Sequence, residues 1–384
     1  MILHELVSYD TLRLIWWALL GVLLVGFAVM DGFDLGTAAL LPVVAKTDLE
    51  RRIVINSVGP VWEGNQVWLI LGGGAIFAAW PHIYAVSFSG FYLAMFAILM
   101  ALILRPVAFK FRSKREEPAW RTRWDWVLCI GGLVPALIFG VAMGNVLQGV
   151  PFRFAPDMRI FYEGSFLGLL NPYALLAGLV SLAMLLMHGA AWLLLKTEGA
   201  VAGRARRFGI VAALATAVLY VLAGVLLAKF VPGYQITAGI VDNGPSNPLL
   251  KTVVQAPGAW FANYAAHPAL WAVPALGAAG ALLAAAAMAA RRALAALVAS
   301  GLAIAGIIVS VGVSMFPFLL PSSLDPRASL TAWDSSSSHL TLFIMVVVTA
   351  IFMPIILAYT SWVFAVLRGK VDADAIREEK THAY

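Results

Sequence analysis

Four ionisable side chains stand beside long apolar runs: Asp31 and Asp34 in MDGFDLG, Glu63 in VWEGNQVW, and Arg105 in LILRPVAFK. Burying an unpaired charge is costly, and ionisable groups at membrane depth usually belong to ion or proton pathways. Asp31 and Asp34 are three residues apart and share a helix face. At about 100° per residue, Glu63 and Gln66 fall about 60° apart on one face, while Asn65 and Trp68 form a pair on another. The chemistry on offer is proton transfer between carboxyl groups, with Asn65 and Gln66 hydrogen-bonding the acids or ordered water. Structural ion pairing with Arg105 is the other reading, and the residues alone leave both open.

Membrane helices must position these groups. Of 384 residues, 62% are hydrophobic and 12% charged, with a mean hydropathy of +0.89. Soluble domains carry about 25% charged residues, so lipid is the solvent. A bilayer core needs about 20 apolar residues per helix. Nine stretches qualify, near 12–42, 58–80, 83–105, 125–147, 165–195, 207–230, 268–290, 293–320 and 340–367. The expected fold is an all-α integral membrane protein with nine transmembrane helices. The first stretch has an acidic, mixed lead and no small-residue cleavage pattern, so it is expected to be a retained span rather than a signal peptide.

Of the 26 lysines and arginines, only Arg13, Arg153, Arg159, Lys229, Lys251 and Arg327 fall on one side of the nine spans, and the other twenty fall on the opposite side. The positive-inside rule then puts the N-terminus outside and the C-terminus in the cytoplasm. This asymmetry accounts for the net charge of +6 without a nucleic-acid partner. It also places Asp34, Glu63 and Arg105 at similar depth in the cytoplasmic half, as one expected charged cluster. The outer connections 231–267 and 321–339 are long and rich in Pro, Gly, Asn and Ser, as ordered caps or binding surfaces are. The tail VDADAIREEKTHAY is expected at the surface.

Other chemistries find little support. Cys129 is the single cysteine, which excludes a disulfide framework and a Cys-rich metal site. Of six histidines, His4 and His382 are terminal, and His82, His267 and His339 end spans. Only His188 is intramembrane, with no second histidine at matching depth for a bis-histidine haem. His188 is therefore expected to be a hydrogen-bonded core residue, and the chain is expected to bind no haem or metal. The 13 Trp, 21 Phe and 10 Tyr suit interface belts and packing, and aromatic walls also suit a quinone tail or a lipid. No nucleotide-binding glycine loop or hydrolase motif has usable context.

Several blocks resemble the smaller subunit of cytochrome bd-type quinol oxidases. They are GFAVMDGFDLG, ERRIVINSVGPVWEGNQVWLI, AIFAAWP, FSGFYLAM, RPVAFKFRSK, WDWVLCIGG, GNVLQGVPF, NPYALLAGLVS, PGAWFANY, LWAVPALG, SMFPFLLPSS and ASLTAWDSSSSHLTL, running in order through the chain. The resemblance implies two four-helix bundles plus one peripheral helix: a first bundle about 12–147, a second about 165–320, a last helix about 340–367 and a cytoplasmic tail 368–384. It implies a bacterial inner-membrane complex that oxidises quinol and reduces dioxygen to water. Two b-type haems and haem d lie in the larger subunit, this chain binds none of them, and single-helix accessory subunits often join the pair. By resemblance Glu63 lies on a proton route to the larger subunit, Asp34 and Arg105 belong to the same charged region, and Trp68 stands beside an oxygen access tunnel. A structural quinone can occupy an apolar groove of the smaller subunit. Members of the family commonly carry Asp where this chain has Glu63. The substitution lengthens the side chain and keeps its proton chemistry.

Two other readings compete. A proton-coupled secondary transporter would also use buried acids, but it calls for an inverted repeat with broken helices, and none is visible. A purely structural scaffold would need Asp34, Glu63 and Arg105 for assembly alone.

Overall fold

The computed structural model describes residues 3–371, with Asp374 and Ile376 beyond them. Most of the tail expected at the surface lies outside the described residues.

Helix α1 (Tyr9–Val44) is 36 residues long, about 54 Å at 1.5 Å per residue, and exceeds the roughly 30 Å hydrocarbon core. A short helix α2 (Asp48–Val58) follows, started by a capping box between Thr47 and Glu50 that satisfies free N–H groups of its first turn. Then come α3 (Trp62–Ala79), α4 (Pro81–Gly90), α5 (Tyr92–Phe111) and α6 (Pro118–Gln148). The second half contains α7 (Pro172–Lys196), α8 (Gly199–Phe230), the one-turn α9 (Ala262–Ala266), α10 (Ala272–Ala289), α11 (Ala293–Met315) and α12 (His339–Val366).

Among the described residues, eight helices are long and apolar enough to cross a membrane: α1, α5, α6, α7, α8, α10, α11 and α12. The remaining expected span, near 58–80, is α3. It is helical over 18 residues, but Glu63, Asn65 and Gln66 in its first two turns dilute its apolar character. The stretch expected near 83–105 is not one helix. It breaks at Phe91, which leaves helical geometry between α4 and α5.

Helices α1, α3, α5 and α6 pack as one group and α7, α8, α10 and α11 as another, with α1 also lying along α7. The groups meet closely where a Cβ on Gly36 would stand 2.0 Å from the Leu185 carbonyl oxygen. Only a glycine permits that approach, and small residues are the usual means of close helix contact in membranes. Core side chains form three clusters: one at the end bearing the hairpins, one between the two groups and one at the end bearing the basic residues.

Helix α12 stands apart. Only 6% of its apolar window is buried. Trp16 Nε1 donates to the Leu342 carbonyl at 3.0 Å, and Lys196 Nζ donates to the Leu367 and Gly369 carbonyls at 2.6 and 3.2 Å. These bonds hold α12 at its two ends.

The outer connections 231–267 and 321–339 were expected as ordered caps or binding surfaces. The structure closes three antiparallel pairs at the hairpin end: β1 (Phe152–Phe154) with β2 (Ile160–Tyr162), β3 (Gly233–Ala238) with β4 (Thr252–Ala256), and β5 (Phe318–Leu320) with β6 (Leu330–Thr331). Trp260 Nε1 donates to the Leu147 carbonyl at 3.0 Å and Tyr234 to the Gln148 carbonyl at 3.2 Å, so the connection that carries β3 and β4 is fastened at two points to the end of α6.

Candidate functional site

The middle of α1 presents Asp31 and Asp34, both buried. Arg105 comes from α5, one residue before the helix-interior Pro106. Its Nη2 and Nη1 donate to Asp31 Oδ1 and Oδ2 at 3.0 and 3.3 Å. This two-pronged geometry is the strong form of an arginine–carboxylate pair. The arginine stem lies against α6, where a Cβ on Gly131 would come within 2.9 Å of Arg105 Cγ. The guanidinium also sits 5.8 Å from the Trp62 ring centroid, within cation–π range, and Trp62 stacks on Phe109 at 5.1 Å.

Asp34 is held differently. Its Oδ2 accepts from Asn65 Nδ2 at 2.8 Å, while Oδ1 is buried with no partner. Arg105 Nε and Trp62 Nε1 are buried and unpartnered as well. Three unmatched polar atoms on neighbouring side chains are unusual, since buried polar groups are nearly always hydrogen-bonded.

Glu63 does not join this cluster, contrary to the expectation that it would stand with Asp34 and Arg105. It is exposed on the outside of α3, while Asn65 faces inward. The cause is helix geometry, because two residues turn the helix by about 200°. Gln66 is half-buried near Glu63, and Trp68 is buried below Asn65 with its ring against the backbone of Gly26. Arg105, read as a partner for the acids, is committed to Asp31.

Two further ionic networks escaped the sequence reading. At the basic end, Asp125 on α6 accepts from Arg112 Nε at 2.5 Å and Arg51 Nη1 at 2.8 Å, while Asp48 bridges Arg112 and Arg121 at 2.9 and 2.6 Å. The arginines had been read only as members of a basic loop. A signal was present in WRTRWDW, where an aspartate sits among tryptophans. At the hairpin end, Lys251 and Asp334 pair at 2.7 Å, both almost wholly buried. Burial pushes the Lys251 ammonium below the usual lysine range, against the pull of Asp334.

His188 is buried, with Nδ1 2.7 Å from Ser300 Oγ and Nε2 3.0 Å from the Val29 carbonyl oxygen. Both ring nitrogens are engaged, so His188 offers no ligand to a haem iron. Among the described residues no group of three His, Cys, Asp or Glu side chains could hold a metal ion.

Comparisons with known proteins agree on the family. The family model described as cytochrome bd terminal oxidase subunit II matches residues 12–367. A probable cytochrome oxidase subunit 2 of Haemophilus influenzae is 51% identical over 99% of this chain and 100% of its own length. The cytochrome bd-I ubiquinol oxidase subunit 2 of Escherichia coli K12 is 48% identical over 98% of this chain and 100% of its own length. The corresponding bd ubiquinol oxidase subunit of Bacillus subtilis is 30% identical over 93% and 96%. Among solved structures, the bd oxidase of Geobacillus thermodenitrificans superposes with a TM-score of 0.68 over 93% of this chain and 98% of the matched chain, at 16% identity, and so shares the fold. With nearly full-length matches at this identity and the family model spanning every membrane helix, the chain belongs to the cytochrome bd terminal oxidase subunit II family.

Proposed function

We propose that this chain is the haem-free subunit of a quinol-oxidising, dioxygen-reducing complex in the bacterial inner membrane, and that it delivers protons from the cytoplasm to a larger partner subunit. The observation that carries the reading is the division of α3. This helix turns Asn65 inward onto Asp34 and, two residues earlier, Glu63 outward to the chain's exterior. One short helix thus connects a buried acid with an exposed one. A carboxylate on the outside of a membrane helix is unsuited to lipid, which supports a protein partner covering it.

The surface around Glu63 fits such a partner. Val67, Ile70 and Phe77 continue its stripe along α3, and α5 also exposes Tyr92, Phe96 and Leu99. The exposed face of α8 is mostly aliphatic, with Val211, Val218 and Val221 outward and Phe208 and Phe230 towards its ends, as suits lipid.

In this reading protons enter at the basic end, which faces the cytoplasm by the positive-inside rule, with the N-terminus periplasmic. They reach the Asp31–Asp34–Arg105 cluster and leave through Glu63, with Gln66 and Asn65 as hydrogen-bonding supports. Quinol oxidation and dioxygen reduction take place in the larger subunit, which would hold two b-type haems and haem d. Consuming cytoplasmic protons there contributes to proton-motive force. Trp68, packed on Gly26, would line an oxygen access route. One or more single-helix accessory subunits and a structural quinone tail would lie on the chain's apolar exterior, and the whole chain acts as a single transmembrane domain.

The test is Glu63→Ala in the assembled complex. Quinol-driven oxygen consumption and proton uptake are expected to fall together with haem content unchanged, and wild-type rates would sink the route.

A further inference from the structure

We infer that the two acids of α1 divide the work, and that this division refines the proton-route reading on which it rests. Asp31 is a permanent counterion that positions Arg105. Asp34 is the carboxyl that takes up and releases the proton, with Asn65 as its support.

The hydrogen bonds separate the two roles. Both oxygens of Asp31 are occupied by the Arg105 fork. A proton on Asp31 would break that pair and strand a guanidinium whose Nε is already without a partner, and breaking one side of a buried pair is strongly unfavourable. Asp34 has one oxygen anchored and the other open. Asn65 donates to Oδ2 at 2.8 Å and continues to do so whether or not Oδ1 carries a proton. The site therefore keeps its geometry through a cycle of loading and release.

Charge counting leads to the same assignment. In this layer the described residues supply one guanidinium for two acids, and Asp34 lies within Coulombic range of both Asp31 and Arg105. The elements packed on the other sides of α1 bring no second cation. Helix α6 contributes Gly132, whose Cβ would meet the α1 backbone, and α7 contributes Leu185 and Gly189. His188 is turned to Ser300 and Val29. A proton is thus the neutralising partner open to Asp34. Its transfer breaks one O–H bond on Oδ1 and forms another on ordered water, with no redox change in this chain.

Turnover-induced infrared difference spectra of the assembled complex test the assignment. The wild type is expected to show a D2O-sensitive C=O stretch of a carboxylic acid. Asp34→Asn should lose that band and slow proton uptake by about a hundredfold, the usual worth of a positioned acid–base group. Because Asp31→Asn alone strands Arg105 and can prevent assembly, the companion is the double variant Asp31→Leu with Arg105→Leu, which removes both charges and should keep the Asp34 band. A band that persists in Asp34→Asn, or vanishes in the assembled double variant, would overturn the assignment. If Asp34→Asn loses the band yet takes up protons at the wild-type rate, the assignment stands and the route through this chain fails. If uptake slows and no Asp34 band exists, the route stands and the assignment fails.

Discussion

The buried charges at the hairpin end and those in the middle of α1 are satisfied to different degrees. At the hairpin end each guanidinium nitrogen of Arg13 has an acceptor: Ser336 Oγ at 2.8 Å, the Asp242 carbonyl at 2.5 Å and the Gly244 carbonyl at 3.0 Å. Its guanidinium carbon lies 3.6 Å from the Tyr9 ring centroid. Asp334 accepts from the Thr331 amide and hydroxyl on one oxygen, and the other, without an aligned hydrogen bond, is ion-paired with Lys251 at 2.7 Å. In the middle of α1, by contrast, Asp34 Oδ1, Arg105 Nε and Trp62 Nε1 are all unmatched. A buried network whose charged atoms all face a partner fixes structure, whereas one with atoms facing none is costly unless something else uses them. The first region reads as a clamp joining α1 to two loops, the second as a place where a proton or water completes the set.

The sharpest way to break this comparison is Arg105→Leu, which leaves Asp31 buried and unpaired. The expected loss is about 3–5 kcal/mol, seen as poor recovery of the assembled complex. Asp334→Asn removes the charge facing Lys251 but leaves that ammonium its bond to the Pro248 carbonyl at 2.8 Å. A smaller loss of about 2–3 kcal/mol is expected, read as a lower midpoint in thermal unfolding with turnover at permissive temperature intact. Turnover changes as large as those of Asp34→Asn would mean that the hairpin end is more than a clamp.

A pH measurement sharpens the clamp reading. Burial pushes the Tyr234 phenol up to about 12, against the hydrogen bond from Gln255. The unfolded phenol titrates near 10, so the folded state keeps its proton longer. Stability is therefore fully present below pH 10 and falls as pH rises from 10 to about 12, by about 2–3 kcal/mol. Tyr234→Phe should abolish that part of the alkaline loss, and an unchanged alkaline profile would contradict the assignment. Smaller still is Gly131→Ala, which pushes on the Arg105 stem and should cost about 1–2 kcal/mol. It should slow turnover more than an alanine at Gly21, where a Cβ meets nothing within 4 Å.

The fold was largely legible because hydropathy and length suffice to place membrane helices, and each expected span coincides with a helix or, near 83–105, with a pair of them. Helical geometry in VWEGNQVW puts Asn65 and Glu63 on different faces, but which of them turns inward is set by the packing of α3 on α1. Three things were not legible. Which acid Arg105 selects depends on the relative rotation of α1 and α5. The Asp125 and Asp334 networks join residues far apart in sequence, and their basic members looked like ordinary loop charges. The β-pairs are two to six residues long and form only against one another, so no isolated stretch announces them.

The anchoring of α12 has a consequence for how freely its sequence can change. Trp16 and Lys196 grip the helix through carbonyl oxygens of Leu342, Leu367 and Gly369, and a carbonyl is the same whichever side chain accompanies it. Phe343, Met345 and Val346 pack on the hairpin-end core and Phe364 on Phe33 and Trp192, whereas most side chains from Val347 to Trp362 are exposed. Substitutions along 347–359 should therefore be constrained by the surrounding lipid or partner rather than by this subunit, so the length and bulk of α12 can follow the thickness of its membrane while its attachment stays the same.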